Sequence, residues 1–365
     1  MTMIWMVCAW VLGALAPASE QATPDISPVA SHGGWQVTEV SEIEVDGQPI
    51  ALSPDGQWIA GTGADGAGVC VWEVEALIPA CTGDDLRPDV SSMVWAPDSS
   101  GVAFTDGSFT ELEPNALWLY SIDDAVLTEL SGSKIDGTEP VIHRAPRWTP
   151  DSQAVVFMSV ENDLGIASIW VVDRTASQPK EVPVPAVYFQ GPLVPTDDGR
   201  LMFTIGGSGF VGIWQVGLDG SGFEQVVSGS DLVPVPIQIG EFSADGQHLT
   251  VWSIGRFVED WTVDWYVLDL QTGRYVPVSA GDRSLEIYGP ILSTDGPEAV
   301  ALAYHEDGTT VSLHDVSLQT GEATPIAGGE FEAPGSYWFL SRGAGSQLLV
   351  ATDEGAVLVT MAPAG

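Results

Sequence analysis

Basic residues are scarce in this chain: Lys134, Lys180 and nine arginines stand against 50 carboxylates, for a formal net charge of -39. The run His143-Arg144-Ala145-Pro146-Arg147 is therefore conspicuous, because it gathers two guanidinium groups and an imidazole within a few residues. A guanidinium offers a planar fork of donors that matches a carboxylate or the hydroxyls of a sugar, which makes Arg144 and Arg147 candidate ligand-binding residues. The plainer alternative is that they balance carboxylates on adjoining loops. Signatures of catalysis are weak. Ser131-Gly132-Ser133-Lys134 matches S-x-x-K but follows a strand-like run, without the helix that aims Lys at Ser, and no G-x-S-x-G elbow occurs. His305 and His314 can face each other across a hairpin with Glu306, Asp307 and Asp315 nearby, yet they lack a clear third metal ligand. The pairs Asp84-Asp85, Asp123-Asp124 and Asp197-Asp198 lack a calcium-loop spacing and read as solvated turns. No catalytic residue, metal or cofactor is expected.

The elements that must position these residues repeat. SPDGQWIAG, APDSSGVAF, TPDSQAVVF, TDDGRLMFT, SADGQHLTV and STDGPEAVAL place an acid at Asp55, Asp98, Asp151, Asp198, Asp245 and Asp295, spaced 43 to 53 residues apart. SRGAGSQLLV, around Gly345, reads as a seventh, degenerate copy. In each copy an apolar stretch enters a turn containing Asp and Gly or Ser, residues that accept a tight reversal. A run rich in β-branched and aromatic residues follows, such as Val102-Ala103-Phe104 or Val155-Val156-Phe157. A third run carries an aromatic, as in Val71-Trp72 and Ile169-Trp170, and a weaker fourth closes the unit. Four strands make a blade, and seven copies predict an all-β, seven-bladed β-propeller. The last copy supplies only three strands, while Trp35 to Val45 alternates without a unit of its own. That segment is expected to become the outer strand of the last blade, closing the ring and covering an edge.

These phrases resemble the TolB-type, WD-like propeller repeat found in bacterial envelope proteins and in the propeller domains of prolyl-oligopeptidase-like enzymes. The resemblance covers about residues 35 to 365, and six of the seven turns keep the Asp. TolB proper carries an extra N-terminal domain and the peptidases a C-terminal hydrolase domain, for which this chain has no room. The resemblance therefore implies the fold, and neither TolB partners nor peptidase chemistry.

In a propeller, the connection from one blade's outer strand to the next blade's inner strand lies where the central funnel opens. That places Arg144 and Arg147 at the mouth, together with Gln48, Tyr188, Gln190, Gln238, Tyr288 and Tyr337. The longer loops between second and third strands should project to the same face. They carry Phe109, Phe257 and Trp261, which either contact a protein or peptide partner or tuck back onto blade edges.

Residues 1–18 are apolar from Met3 to Ala18 and read as a signal peptide or short membrane anchor, although no Lys or Arg precedes the apolar core. Residues 19–34 read as a linker and 35–365 as a single propeller domain. Beyond the leader only Cys70 and Cys81 remain; they form a disulfide across a hairpin or persist as small buried thiols. So acidic a surface repels nucleic acid and anionic lipid, leaving membrane contact to the possible N-terminal anchor. The expected protein is a monomeric, secreted or envelope-associated binding or scaffold module without enzymatic activity. Its expected ligand is a protein, a peptide or a small molecule. The rival is a hydrolase or lyase with a metal-dependent site in the funnel, which needs convergent His and carboxylates at the starts of the inner strands.

Overall fold

Blades 1 to 4 are organised by their Asp turns. Asp55 Oδ1 accepts hydrogen bonds from Ser53 Oγ at 2.6 Å and from the Gln57 N–H at 3.0 Å, and Asp151 Oδ1 does the same with Thr149 Oγ1 at 2.6 Å and Gln153 N–H at 3.1 Å. The residue after the Asp takes a left-handed conformation, with φ 72° at Gly56, 61° at Ser99 and 60° at Ser152. Serine tolerates this position because its hydroxyl is used. Ser99 Oγ accepts the Asp55 N–H and Ser152 Oγ accepts the Asp98 N–H, both at 3.0 Å, so each turn grips the turn of the preceding blade. The Trp ending the inner strand does likewise: Trp95 Nε1 donates to the Ala51 carbonyl at 3.0 Å and Trp148 Nε1 to the Val94 carbonyl at 3.1 Å.

The computed structural model describes residues 34–107, 113–135, 140–161, 167–176, 178–206, 212–228, 237–243, 247–254, 263–281, 286–292, 298–305, 310–332, 339–343, 346–352 and 355–364. Blades 1, 2 and 5 are separate four-stranded antiparallel sheets. Blades 3 and 4 share the strand Lys180–Pro195, whose beginning pairs with Ala167–Asp173 as an outer strand and whose end pairs with Arg200–Gly206 as an inner one. The N-terminal strand Trp35–Ile43 runs antiparallel to Ala356–Pro363, from Trp35 opposite Pro363 to Ile43 opposite Ala356. It also meets blade 6 in parallel, at Gln36 opposite Ala327. The beginning of the chain is thus the outer strand of blade 7, as the unassigned alternating segment implied.

The inner strands are Gln48–Leu52, Val94–Trp95, Val141–Trp148, the end of Lys180–Pro195, Ile237–Phe242, Glu286–Leu292 and Phe339–Arg342. Each touches the inner strand of the blade before and after it, and the last touches the first. Seven blades therefore close around one axis, the architecture of the TolB-like propeller that the repeat resembles. The apolar core is divided accordingly, with one buried cluster along each seam. Ile50, Ala60 and Val71 of blade 1 pack on Val102, Phe104 and Tyr120 of blade 2. At the closing seam, Leu52, Ile59 and Trp72 of blade 1 pack on Leu349, Ala351 and Leu358 of blade 7. Alternating side chains of a strand face opposite sides of its sheet, so every blade feeds two seams.

Candidate functional site

The inner strands share a register that the linear sequence conceals. Take, in each blade, the second-strand residue three places beyond the first pair after the Asp turn. Its partners are Gln48 opposite Thr62, Arg144 opposite Met158, Gln190 opposite Thr204, Gln238 opposite Trp252, Tyr288 opposite Leu302 and Phe339 opposite Ala351. In blade 2 the same place belongs to Asp89, whose N–H bonds the Thr105 carbonyl at 2.8 Å beside the Pro88 to Asp106 bridge. One rung of backbone positions therefore runs around the axis near the end where the inner strands begin, with Asp89 and Arg144 in neighbouring blades.

Irregularities in the inner strands bring these residues level. The register slips between Arg144 and Arg147, between Gln190 and Val194, and between Tyr288 and Ile291. Buried Phe157 and Phe203 of the second strands lie opposite two of these bulges. In blade 2 the 3-10 turn Val90–Ser92 takes the place of a bulge, opposite buried Phe104. Blade 1 has its own slip between Pro49 and Ala51, and its strands approach closely there: a Cβ on Gly61 would lie 1.9 Å from the Gln48 carbonyl oxygen, so only glycine fits. Behind the rung, the buried hydroxyls of Thr62 and Thr204 have no hydrogen-bond partner among the described residues.

Asp89 and Arg144 form the electrostatic centre of this rung. Asp89 caps the 3-10 turn, its Oδ1 accepting from the Ser91 N–H at 3.0 Å and from Ser91 Oγ at 2.6 Å. Burial pushes its carboxyl above the usual range, against the opposing pull of the Ser91 hydrogen bonds and the Arg144 charge. Burial likewise loosens the Arg144 proton, while the Asp89 charge helps hold it. The half-buried pair spans the seam between blades 2 and 3.

Behind Arg144 the support is rigid. Asn115 holds the backbone of His143 on both sides, its Nδ2 donating to the His143 carbonyl at 3.1 Å and its Oδ1 accepting the His143 N–H at 2.6 Å. His143 is buried, edge-on to Phe157 with ring centroids 4.9 Å apart, and its Nε2 donates to the Gly132 carbonyl at 2.9 Å. Burial pushes its imidazole down to about 4. Ser131 Oγ lies 3.1 Å from the same nitrogen, so the serine of the S-x-x-K run is a buried packing partner, and Lys134 is exposed. A cleft of about 210 Å³ adjoins this corner, lined by Asp85, Arg87, Asp106, Glu113 and Asn115.

The remaining sequence candidates divide. Arg147 stands beyond the bulge, opposite Val156, and donates to the neighbouring Pro146 carbonyl at 2.8 Å, so it is off the rung. Tyr188 lies two residues before the rung, opposite Gly206. Tyr337, Phe109, Phe257 and Trp261 lie outside the described residues. Cys70 and Cys81 are opposite one another in blade 1 and joined by a disulfide with S–S 2.07 Å. His305 and His314 are linked through Ser312 Oγ, 3.2 Å and 3.0 Å from their Nε2 atoms. Asp89 was missed because an Asp followed by Val-Ser-Ser reads as a loop cap, and only the strand register lifts it to the rung.

No protein-family model matches the chain, and no curated protein matches it in sequence. Solved structures do. An oligogalacturonate lyase in complex with manganese is 12% identical with a TM-score of 0.63, over 90% of this chain and 95% of the lyase. The oligogalacturonate lyase of Vibrio parahaemolyticus is 12% identical with a TM-score of 0.60, over 88% of this chain and 91% of that one. Puromycin hydrolase is 16% identical with a TM-score of 0.53, over 87% of this chain but only 51% of the hydrolase. At these identities the likeness carries the fold. Among the described residues the rung has one carboxylate, and no group of three or more His, Cys, Asp or Glu could hold a manganese ion. The expectation of a non-enzymatic binding or scaffold module is corrected by these neighbours, which are enzymes built on the same ring. The physical reason it misled is Asp89, a carboxylate that the turn ahead of blade 2's inner strand lifts to the rung.

Proposed function

We propose that this chain is a propeller enzyme, a lyase or hydrolase, that acts in the central funnel on a small polar substrate bearing a carboxylate. The observation that carries the reading is the common rung, on which Gln48, Asp89, Arg144, Gln190, Gln238 and Tyr288 stand level around one axis. Polar residues gathered at one level around the axis of a ring suit a substrate site. Arg144 binds the carboxylate through its fork, and the amides of the rung supply donors and acceptors for hydroxyl groups. The enzyme neighbours support the class.

The site lies outside the cytoplasm in this reading. The apolar leader from Met3 to Ala18 and the Cys70–Cys81 disulfide support export. Among the described residues no helix is long and apolar enough to cross a membrane. The high negative charge leaves nucleic acid a poor partner, and the chain acts as a monomer.

The test is turnover by purified protein of an oligogalacturonate and of puromycin, within a wider panel of uronides, esters and amides. Elimination creates a conjugated double bond with new ultraviolet absorbance, whereas hydrolysis releases a hydroxyl or amine without it. Turnover whose KM Arg144→Ala raises supports the funnel site. Inactivity across the whole panel removes the reading.

A further inference from the structure

We infer that Asp89 is the group that moves the proton in the funnel reaction, with Arg144 holding the substrate beside it. This rests on the enzyme reading above and names a residue that the sequence did not single out. Of the seven rung positions, Asp89 alone carries a carboxylate, and it stands in the blade next to Arg144. Its two oxygens are unlike. Oδ1 is fixed by the Ser91 N–H and hydroxyl, while no hydrogen bond reaches Oδ2 among the described residues. A carboxylate clamped through one oxygen is oriented, and the other oxygen remains free to take a proton. Its half-buried setting raises its basicity toward working pH, which is the direction a general base requires.

The proton balance is the same in either reaction class. The base takes it from the carbon next to the substrate carboxylate in an elimination, or from the attacking water in a hydrolysis. In an elimination the C–H electron pair becomes the new double bond as the C–O bond breaks. In a hydrolysis the water oxygen bonds the acyl carbon, and the leaving group departs from the tetrahedral intermediate. In both, Asp89 returns the proton to the departing oxygen or nitrogen and ends in its starting state, so no oxidant, reductant or metal is consumed.

Asp89→Asn tests this, because asparagine keeps the cap on Ser91 and the size of the side chain while removing the base. With whichever probe the wild type turns over, kcat is expected to fall about 100-fold or more, with KM within about threefold and the acid limb of the pH profile lost. Asp89→Glu, which keeps a carboxylate beside Arg144, is expected to retain that limb at reduced kcat. If Asp89→Asn works within threefold of wild type with the same pH profile, Asp89 is not the base, and the enzyme reading survives. If both variants instead raise KM and leave kcat, Asp89 merely positions Arg144 and the proposal is overturned. A wild-type chain that turns over nothing sinks both readings together.

Discussion

Asp89, capping the turn ahead of blade 2's inner strand, stands level with Arg144 on the inner strand of blade 3, and each shifts the protonation of the other. They lie 55 residues apart in the chain, so the pairing is a product of ring closure.

The guanidinium has a role distinct from that of the acid. Arg144→Ala is expected to raise KM for a carboxylated substrate roughly 10- to 100-fold, the loss of a charge-assisted hydrogen bond of about 1.5–3 kcal/mol. Arg144→Lys should recover only part of this, because an ammonium cannot present two parallel donors. Steady-state kinetics on the three proteins decides it; equal KM values would remove Arg144 from the site.

His143 makes stability depend on pH. Its folded pKa, about 4, lies below the unfolded value near 6.5, so the unfolded chain binds a proton that the folded one refuses. Stability is full above about pH 6.5 and declines as pH falls toward 4, by about 3 kcal/mol from this residue. Denaturant melts at several pH values should show that decline in the wild type and a shallower one in His143→Gln, which keeps a donor for the Gly132 carbonyl.

The N-terminal strand should be structural throughout. Removing residues 35–45 uncovers the edge of Ala356–Pro363 and strips Trp35 and Val37 from the cluster at the seam of blades 6 and 7. A sharp fall in melting temperature is expected, and a truncated protein that melts with its parent would show that the ring does not depend on this closure.

The disulfide closes a separation of 11 residues. Chain-entropy reasoning assigns such a crosslink about 3 kcal/mol, so Cys81→Ser should lower unfolding free energy by about that amount. Cys81 is exposed and Cys70 buried, which makes the exposed partner the one to replace.

Chelation provides a separate check on chemistry. Since the described residues offer no group of three or more metal-binding side chains, turnover after dialysis against EDTA is expected to equal that of untreated protein. A loss restored by manganese would place metal ligands elsewhere in the chain.

The sequence by itself determined the ring. Asp55, Asp98 and Asp151 recur with Gly or Ser behind them because the turn needs a carboxylate acceptor and a left-handed residue, and both requirements are local enough to be read from one phrase. Trp35 to Val45 was legible as the closing strand because it alternates and has no unit of its own. Tertiary structure decided that Asp89 joins this level and that Arg147 and Tyr188 leave it. Gln48, Arg144, Gln238 and Tyr288 stand at one distance before their Asp, whereas the longer bulge at Gly191 to Leu193 and the 3-10 turn at Val90–Ser92 lengthen that distance for Gln190 and Asp89. Arg144 stays on the rung while Arg147 leaves it, and Asp89 joins from what reads as a loop. An extra residue in a strand changes which side chains stand opposite without changing their order, so periodicity reveals the blades and most of the rung while Asp89 emerges only from register.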